Sequence, residues 1–159
     1  MLNRRFMVLA AAVAALAGCA TSSTPVSVSD TIAAQSQLST LNGLVTKSGL
    51  SDTLKSGGPY TVFAPTNEAF AKVPAKTMDE LAKNPARLKE VLAYHVVPGK
   101  LMAADVKNGN SKTVNGANVA LSKAGEFVTV EEALVQTADI SATNGVVHIV
   151  DAVLIPPAK

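Results

Sequence analysis

The chain has a single cysteine, Cys19, and it stands where an apolar run ends. One cysteine excludes an intramolecular disulfide, so the rest of the chain must hold together by burial and hydrogen bonding. Arg4 and Arg5 precede the run, Phe6 to Ala15 form it without interruption, and Ala17 and Gly18 close it. A positive start, an apolar middle and a small-residue end are the layout of a secretory signal peptide. The run is shorter than the roughly 20 apolar residues that cross a bilayer. It has no polar stripe, which argues against a first amphipathic helix of the fold.

Leu16-Ala17-Gly18-Cys19 resembles a bacterial lipobox. That resemblance implies cleavage before Cys19 and diacylation of its thiol, with residues 1–18 as the signal peptide. Ordinary secretion, cutting within Ala-Leu-Ala-Gly and leaving a loose thiol, is the alternative. Two or three acyl chains anchor stably where one does not, because each buried CH₂ contributes about 0.8 kcal/mol. Ser, Thr and Pro dominate Thr21 to Ser29, so residues 19–29 read as a tether and 30–157 as one domain. The net charge of +2 belongs to Arg4 and Arg5; beyond the signal, 12 basic side chains meet 12 acidic ones. A neutral domain offers no electrostatic case for nucleic acid or an anionic membrane surface.

Ser29-Asp30 can cap a helix in which Ile32, Leu38, Leu41, Leu44 and Val45 share a face, ending at Gly49. A short helix is expected over Ser51 to Lys55, a turn at Gly57-Gly58-Pro59, and a buried strand over Tyr60 to Ala64. Pro65 stops that strand, and Thr66 or Asn67 caps a helix holding Ala69 and Phe70. The capping-box spacing of Thr77 to Glu80 predicts a helix start at Thr77. Asn84-Pro85 predicts another, with Leu88, Val91 and Leu92 buried and its end near Tyr94-His95. A strand at Val96-Val97 and a turn at Pro98-Gly99 follow. Asn115-Gly116, Lys123-Ala124-Gly125 and Asn144-Gly145 then mark turns between strands around Val119 and Leu121, Val128 and Val130, Leu134 to Thr137, and Val146 to Leu154. Helices crowd the first half and hairpins the second, which predicts an α+β fold.

Three segments carry a resemblance together. They are Thr61 to Phe70, Leu92 to Lys100, and Ala138-Asp139-Ile140 with Asn144 to Pro156. In this order and spacing the chain closely resembles the fasciclin domain family, and more narrowly its bacterial lipoproteins, over about Ser29 to Pro157. The resemblance implies a wedge of two β-sheets with several helices packed around it. It implies a non-catalytic adhesion or protein-interaction module with no cofactor, tethered in the cell envelope. The partners implied are the membrane, through the lipid on Cys19, and an unidentified protein, surface or matrix. By resemblance to envelope lipoproteins, Ala20 after Cys19 implies the outer membrane, facing the periplasm or the cell surface. Some family members outside animals bind pigments, so a small apolar ligand, pigment or lipid, is the alternative function.

The resemblance also marks candidate residues. Tyr94-His95 matches a Tyr-His pair linked to adhesion. It reads either as a partner contact or as a local hydrogen bond holding a helix-to-strand junction; apolar neighbours favour the junction. Asp139-Ile140 lies where the family carries an Asp-Ile adhesion motif, though Thr137 stands where integrin-binding animal members have Asn. The alternative is that Asp139 caps a turn before Ser141. Thr66, Asn67, Asn144, Gly145 and His148 read as structural, with Asn144-Gly145 supplying left-handed turn residues. His95, His148, Asp139 and Asp151 have no metal-ligand spacing, and no G-x-S-x-G elbow is present.

Overall fold

A computed structural model describes residues 26–156. Cys19 and the expected signal and lipobox lie outside them. The elements are α1 (Val28–Ala34), a 3₁₀ turn (Ser36–Leu38), α2 (Ser39–Ser48), α3 (Leu50–Ser56), β1 (Tyr60–Pro65), α4 (Asn67–Lys72), α5 (Ala75–Lys83), α6 (Pro85–Tyr94), β2 (Val96–Pro98), β3 (Gly109–Lys112), β4 (Asn118–Ala124), β5 (Phe127–Val130), β6 (Ala133–Ala142) and β7 (Gly145–Val150). Helices first and hairpins later is the α+β order the sequence predicts.

The strands form one seven-stranded ladder in the order β2-β1-β7-β6-β5-β4-β3. All neighbours are antiparallel except β1 and β7, which run parallel from Tyr60↔Gly145 to Pro65↔Val150. The two sheets of the wedge meet along β6, whose pairing with β7 is interrupted by register shifts between Val135 and Ile140. Bulges of this kind bend and twist a strand, so β6 can serve both halves. The ends of the order approach each other: the Val114 amide donates to the Val96 carbonyl at 2.8 Å.

β1 and β7 are buried almost throughout. A parallel pair covered on both faces reads as a continuous apolar run rather than an alternation. One face meets the helices, placing Val62, Ala64, Val147 and Ile149 against Ile32, Leu41, Leu88 and Leu92. The other meets the hairpins, placing Phe63 and Val150 with Val119, Leu121, Val128 and Val130.

Several expectations need correction. The helix expected from Ser29-Asp30 to Gly49 is two. α1 starts earlier, with Ser27 accepting from the Asp30 amide, and the backbone leaves the helix at Gln35 (φ −92°, ψ 113°). Gly49 does end α2, in the left-handed conformation at φ 71°. α5 begins at Ala75, before Thr77; the Pro74 carbonyl accepts from the Thr77 and Met78 amides, so the turn closes behind the proline. The strand from Val146 stops at Val150 rather than Leu154. The last hairpin does not use left-handed Asn144: the positive-φ residues other than glycine, among those described, are Glu131 and Asp139.

Candidate functional site

His95 follows the last turn of α6 and its side chain is buried at 2% exposure. The Leu154 amide points at Nε2 from 3.0 Å. Nε2 must therefore accept, which leaves the proton on Nδ1 to be donated to the Val91 carbonyl at 2.8 Å. This is a neutral ring with both nitrogens used. Burial pushes its pKa down to about 4, with the Val91 carbonyl opposing the shift. His95 thus ties α6 locally and also pins the segment after β7.

Tyr94 is buried too. Its hydroxyl lies 3.0 Å from the Asn118 carbonyl and 3.1 Å from Glu131 Oε1, and shares its one proton between them. The same Glu131 oxygen accepts from the Ala120 amide at 2.9 Å. Burial first, and the Glu131 carboxylate second, push the phenol up to about 12. Tyr94 therefore joins α6 to the β4–β5 hairpin. Neither side chain of the Tyr94-His95 pair presents surface to a partner.

Asp139 stands in the β6 irregularity rather than in a turn, and it is exposed at φ 59°. Its Oδ1 accepts from the Ala103 amide at 2.7 Å. Its own amide donates to Nδ1 of His148 at 3.1 Å. Ile140 beside it is half-buried against the helix-side core. The fold thus brings Asp139 together with His148 and the 99–106 loop, and not with Tyr94-His95.

The structural candidates divide the work. Thr66 caps α4, accepting from the Ala69 amide at 3.2 Å. Asn67 does not cap its own helix. Its Oδ1 accepts from the Thr40 amide at 2.9 Å, and its Nδ2 donates to the Ser36 carbonyl at 3.2 Å. It caps α2 from outside, where Leu38 offers no side-chain oxygen. Asn144 accepts from the Val28 amide at 2.8 Å and donates to the Leu54 and Gly57 carbonyls. Gly145 is required by close approach: a Cβ there would fall on the Tyr60 carbonyl.

Sequence reasoning did not locate a cavity. A groove of about 230 Å³ opens between α5, α6, the β3–β4 turn and the segment after β7. Val73, Leu81, Val91, Ala117, Val153 and Ile155 line it, with Thr77, Arg87, Glu90 and Asn115 among them. Ile155 is half exposed at 53%. The signal for it was the apolar run continuing past β7 to Ile155, where no strand partner remains. Among the described residues no group of three His, Cys, Asp or Glu could hold a metal ion, and no helix is long and apolar enough to cross a membrane.

The family model described as Fasciclin domain matches residues 36–156. Protein sll1483 of Synechocystis sp. is 43% identical over 121 residues, covering 75% of this chain and 67% of that one. Immunogenic protein MPB70 of Mycobacterium bovis is 47% identical over 109 residues, covering 69% and 55%. Cell surface glycolipoprotein MPB83 of Mycobacterium bovis is 39% identical over 110 residues, covering 69% and 49%. The chain thus spans about half the length of these mycobacterial relatives. Among solved structures, the fasciclin-domain pair of the insect cell adhesion molecule Fasciclin I superimposes with a TM-score of 0.66 at 16% identity, over 82% of this chain and 51% of that one. By its matched family model, its relatives and its fold, the chain belongs to the fasciclin domain family.

Proposed function

We propose that this chain is an exported adhesion or protein-interaction module, non-catalytic, held to the cell envelope by lipid on Cys19. Fasciclin domains are adhesion and extracellular protein-interaction modules. The mycobacterial relative MPB83 is named a cell surface glycolipoprotein, which supports the lipid anchor.

The observation that carries the reading is where the chain enters the domain. The Val26 carbonyl accepts from the Thr143 amide at 2.9 Å, and the Val28 amide reaches Asn144. Val26 and Val28 thus lie beside the first residue of β7, and in this reading the tether from Cys19 joins the domain there. The groove is built partly from residues that follow the last residue of that strand. β7 has six residues, roughly 20 Å of extended chain. An anchor at one end leaves the other end for partners. Val28 already belongs to the core, so the tether proper stops short of it. In this reading Asp139 and Ile140 serve as surface contacts, Tyr94 and His95 brace the fold, and the outer membrane holds the lipid. Deleting the gene should reduce cell attachment or aggregation, and Cys19→Ser should not restore it; unchanged attachment in the deletion strain defeats the proposal.

A second reading, a binder of a small apolar ligand such as a pigment or lipid, is favoured by the apolar groove. Its test is extraction of the protein from native membranes, with mass spectrometry and absorbance of the extract. A bare protein would remove this reading and leave the first intact.

A further inference from the structure

The 99–106 loop crosses the hairpin side of the sheet and is fastened to it by polar bonds. At its start, Thr61 Oγ1 donates to the Gly99 carbonyl at 2.7 Å and accepts from the Leu101 amide at 2.8 Å. At its end, Val106 is buried in the hairpin-side core. Its middle is held by one pair of side chains and by Lys123, whose Nζ donates to the Ala104 carbonyl at 3.1 Å. His148 Nε2 donates to the Leu101 carbonyl at 2.7 Å, and Asp139 Oδ1 accepts from the Ala103 amide at 2.7 Å. The pair is itself linked, because the Asp139 amide donates to His148 Nδ1 at 3.1 Å.

That geometry permits one protonation state. Nε2 faces an acceptor and must carry the proton; Nδ1 faces a donor and must not. A second proton would set N–H against N–H at Nδ1. The groups around the ring leave one way to relieve this. Phe63 from β1 stacks on it, with centroids 5.5 Å apart and planes inclined by 24°. The loop offers the Leu101 carbonyl; its charged residues Lys100 and Asp105, and Lys107 after it, are exposed, and Lys123 of β4 is engaged by the Ala104 carbonyl. The charge that acts on the ring is the Asp139 carboxylate of β6. Asp139 is also held at φ 59°, a left-handed setting uncommon outside glycine.

We infer that His148 is a proton-operated clip: a proton taken from solvent onto Nδ1 expels the Asp139 amide, draws the Asp139 carboxylate off the Ala103 amide, and so releases the loop at Ala103. Gly99, Leu101 and Val106 stay fastened, Leu101 by its bonds to Thr61 and to Nε2, so the release is confined to the Ala103 amide while the core persists. Burial keeps the ring neutral at pH 7, so the clip is closed there and opens on acidification. His95 faces no charge that would draw a proton to it and is pushed down to about 4, so it does not open first.

The test is amide exchange by NMR on the chain as purified from cells in detergent, from pH 7.5 to 4.5, corrected for intrinsic pH dependence. Protection at Ala103 and Asp139 should fall at least tenfold along a one-proton curve that coincides with titration of the His148 ring nitrogens. Leu154, the partner of His95, should stay protected through that step. Asp139→Asn keeps an acceptor for Ala103 and removes the attracting charge, so its opening midpoint should move to lower pH. His148→Gln, if folded, should show no midpoint. Constant Ala103 protection through the His148 titration would overturn the inference. So would a His148 that gains its proton only when the whole domain unfolds, or an Asp139→Asn midpoint that does not move.

Discussion

His95 and His148 are kept neutral by their bonding as well as by burial. Each accepts one amide and donates to one carbonyl, so a proton added to either must break a bond. Their folded pKa values lie below the ordinary value of 6.5. The unfolded chain therefore binds more protons on the acid side. Between about pH 6.5 and the alkaline range where Tyr94 titrates, the histidines leave stability level, and it should fall as pH drops towards about 4, which denaturant unfolding at stepped pH measures. Gly145→Ala has no room beside the Tyr60 carbonyl and should cost about 3 kcal/mol or more in the same assay. Neither role was legible in the sequence. His148 could be read as a polar interruption of a strand, but its partners lie 9 and 47 residues away. Gly145 was marked by its turn-like neighbour Asn144, whereas the reason for it is the parallel strand β1.

At the level of elements, the sequence signals that match the structure are those with a local cause. Asn84 caps α6 ahead of Pro85, accepting from the Arg87 amide, and Thr66 caps α4. Thr66→Ala should cost about 1 kcal/mol, as lost N-caps do, and thermal unfolding would register it. The elements without a signal in the sequence have causes elsewhere. β3 is Gly109-Asn-Ser-Lys112, polar and largely exposed, and it becomes a strand because the turn at Asn115 folds it onto β4. The break at Gln35 lies inside a helical apolar pattern. Its compensation comes from Asn67, which supplies the cap that α2 lacks. Asn67→Ala should therefore weaken protection of α2 amides near Thr40 while leaving α4 protected, a distinction that hydrogen exchange resolves. A loss of protection in α4 instead would place the cap where the sequence suggested it.

Across the whole molecule, the sequence carried the α+β class and the family through three separated segments. It could not carry the parallel pairing of β1 with β7, because that register joins residues some 85 apart. The groove follows from that same long-range pairing, since it forms where the chain leaves β7 and runs past α5 and α6. Ile155→Asp should remove apolar-ligand binding there while changing stability by about 0.5 kcal/mol or less, because Ile155 is already half exposed. The central claim is that a folded binding surface is held at the cell boundary by Cys19. Its most direct measurement is chemical crosslinking on intact cells, followed by capture of the protein and identification of what is attached, with Cys19→Ser beside it. The account predicts a reproducible envelope or surface protein crosslinked to the wild-type chain, with Cys19→Ser exported but absent from the membrane fraction and depleted of that partner. Cys19→Ser that stays in the membrane fraction, or a wild-type chain that crosslinks to nothing reproducible, would contradict it.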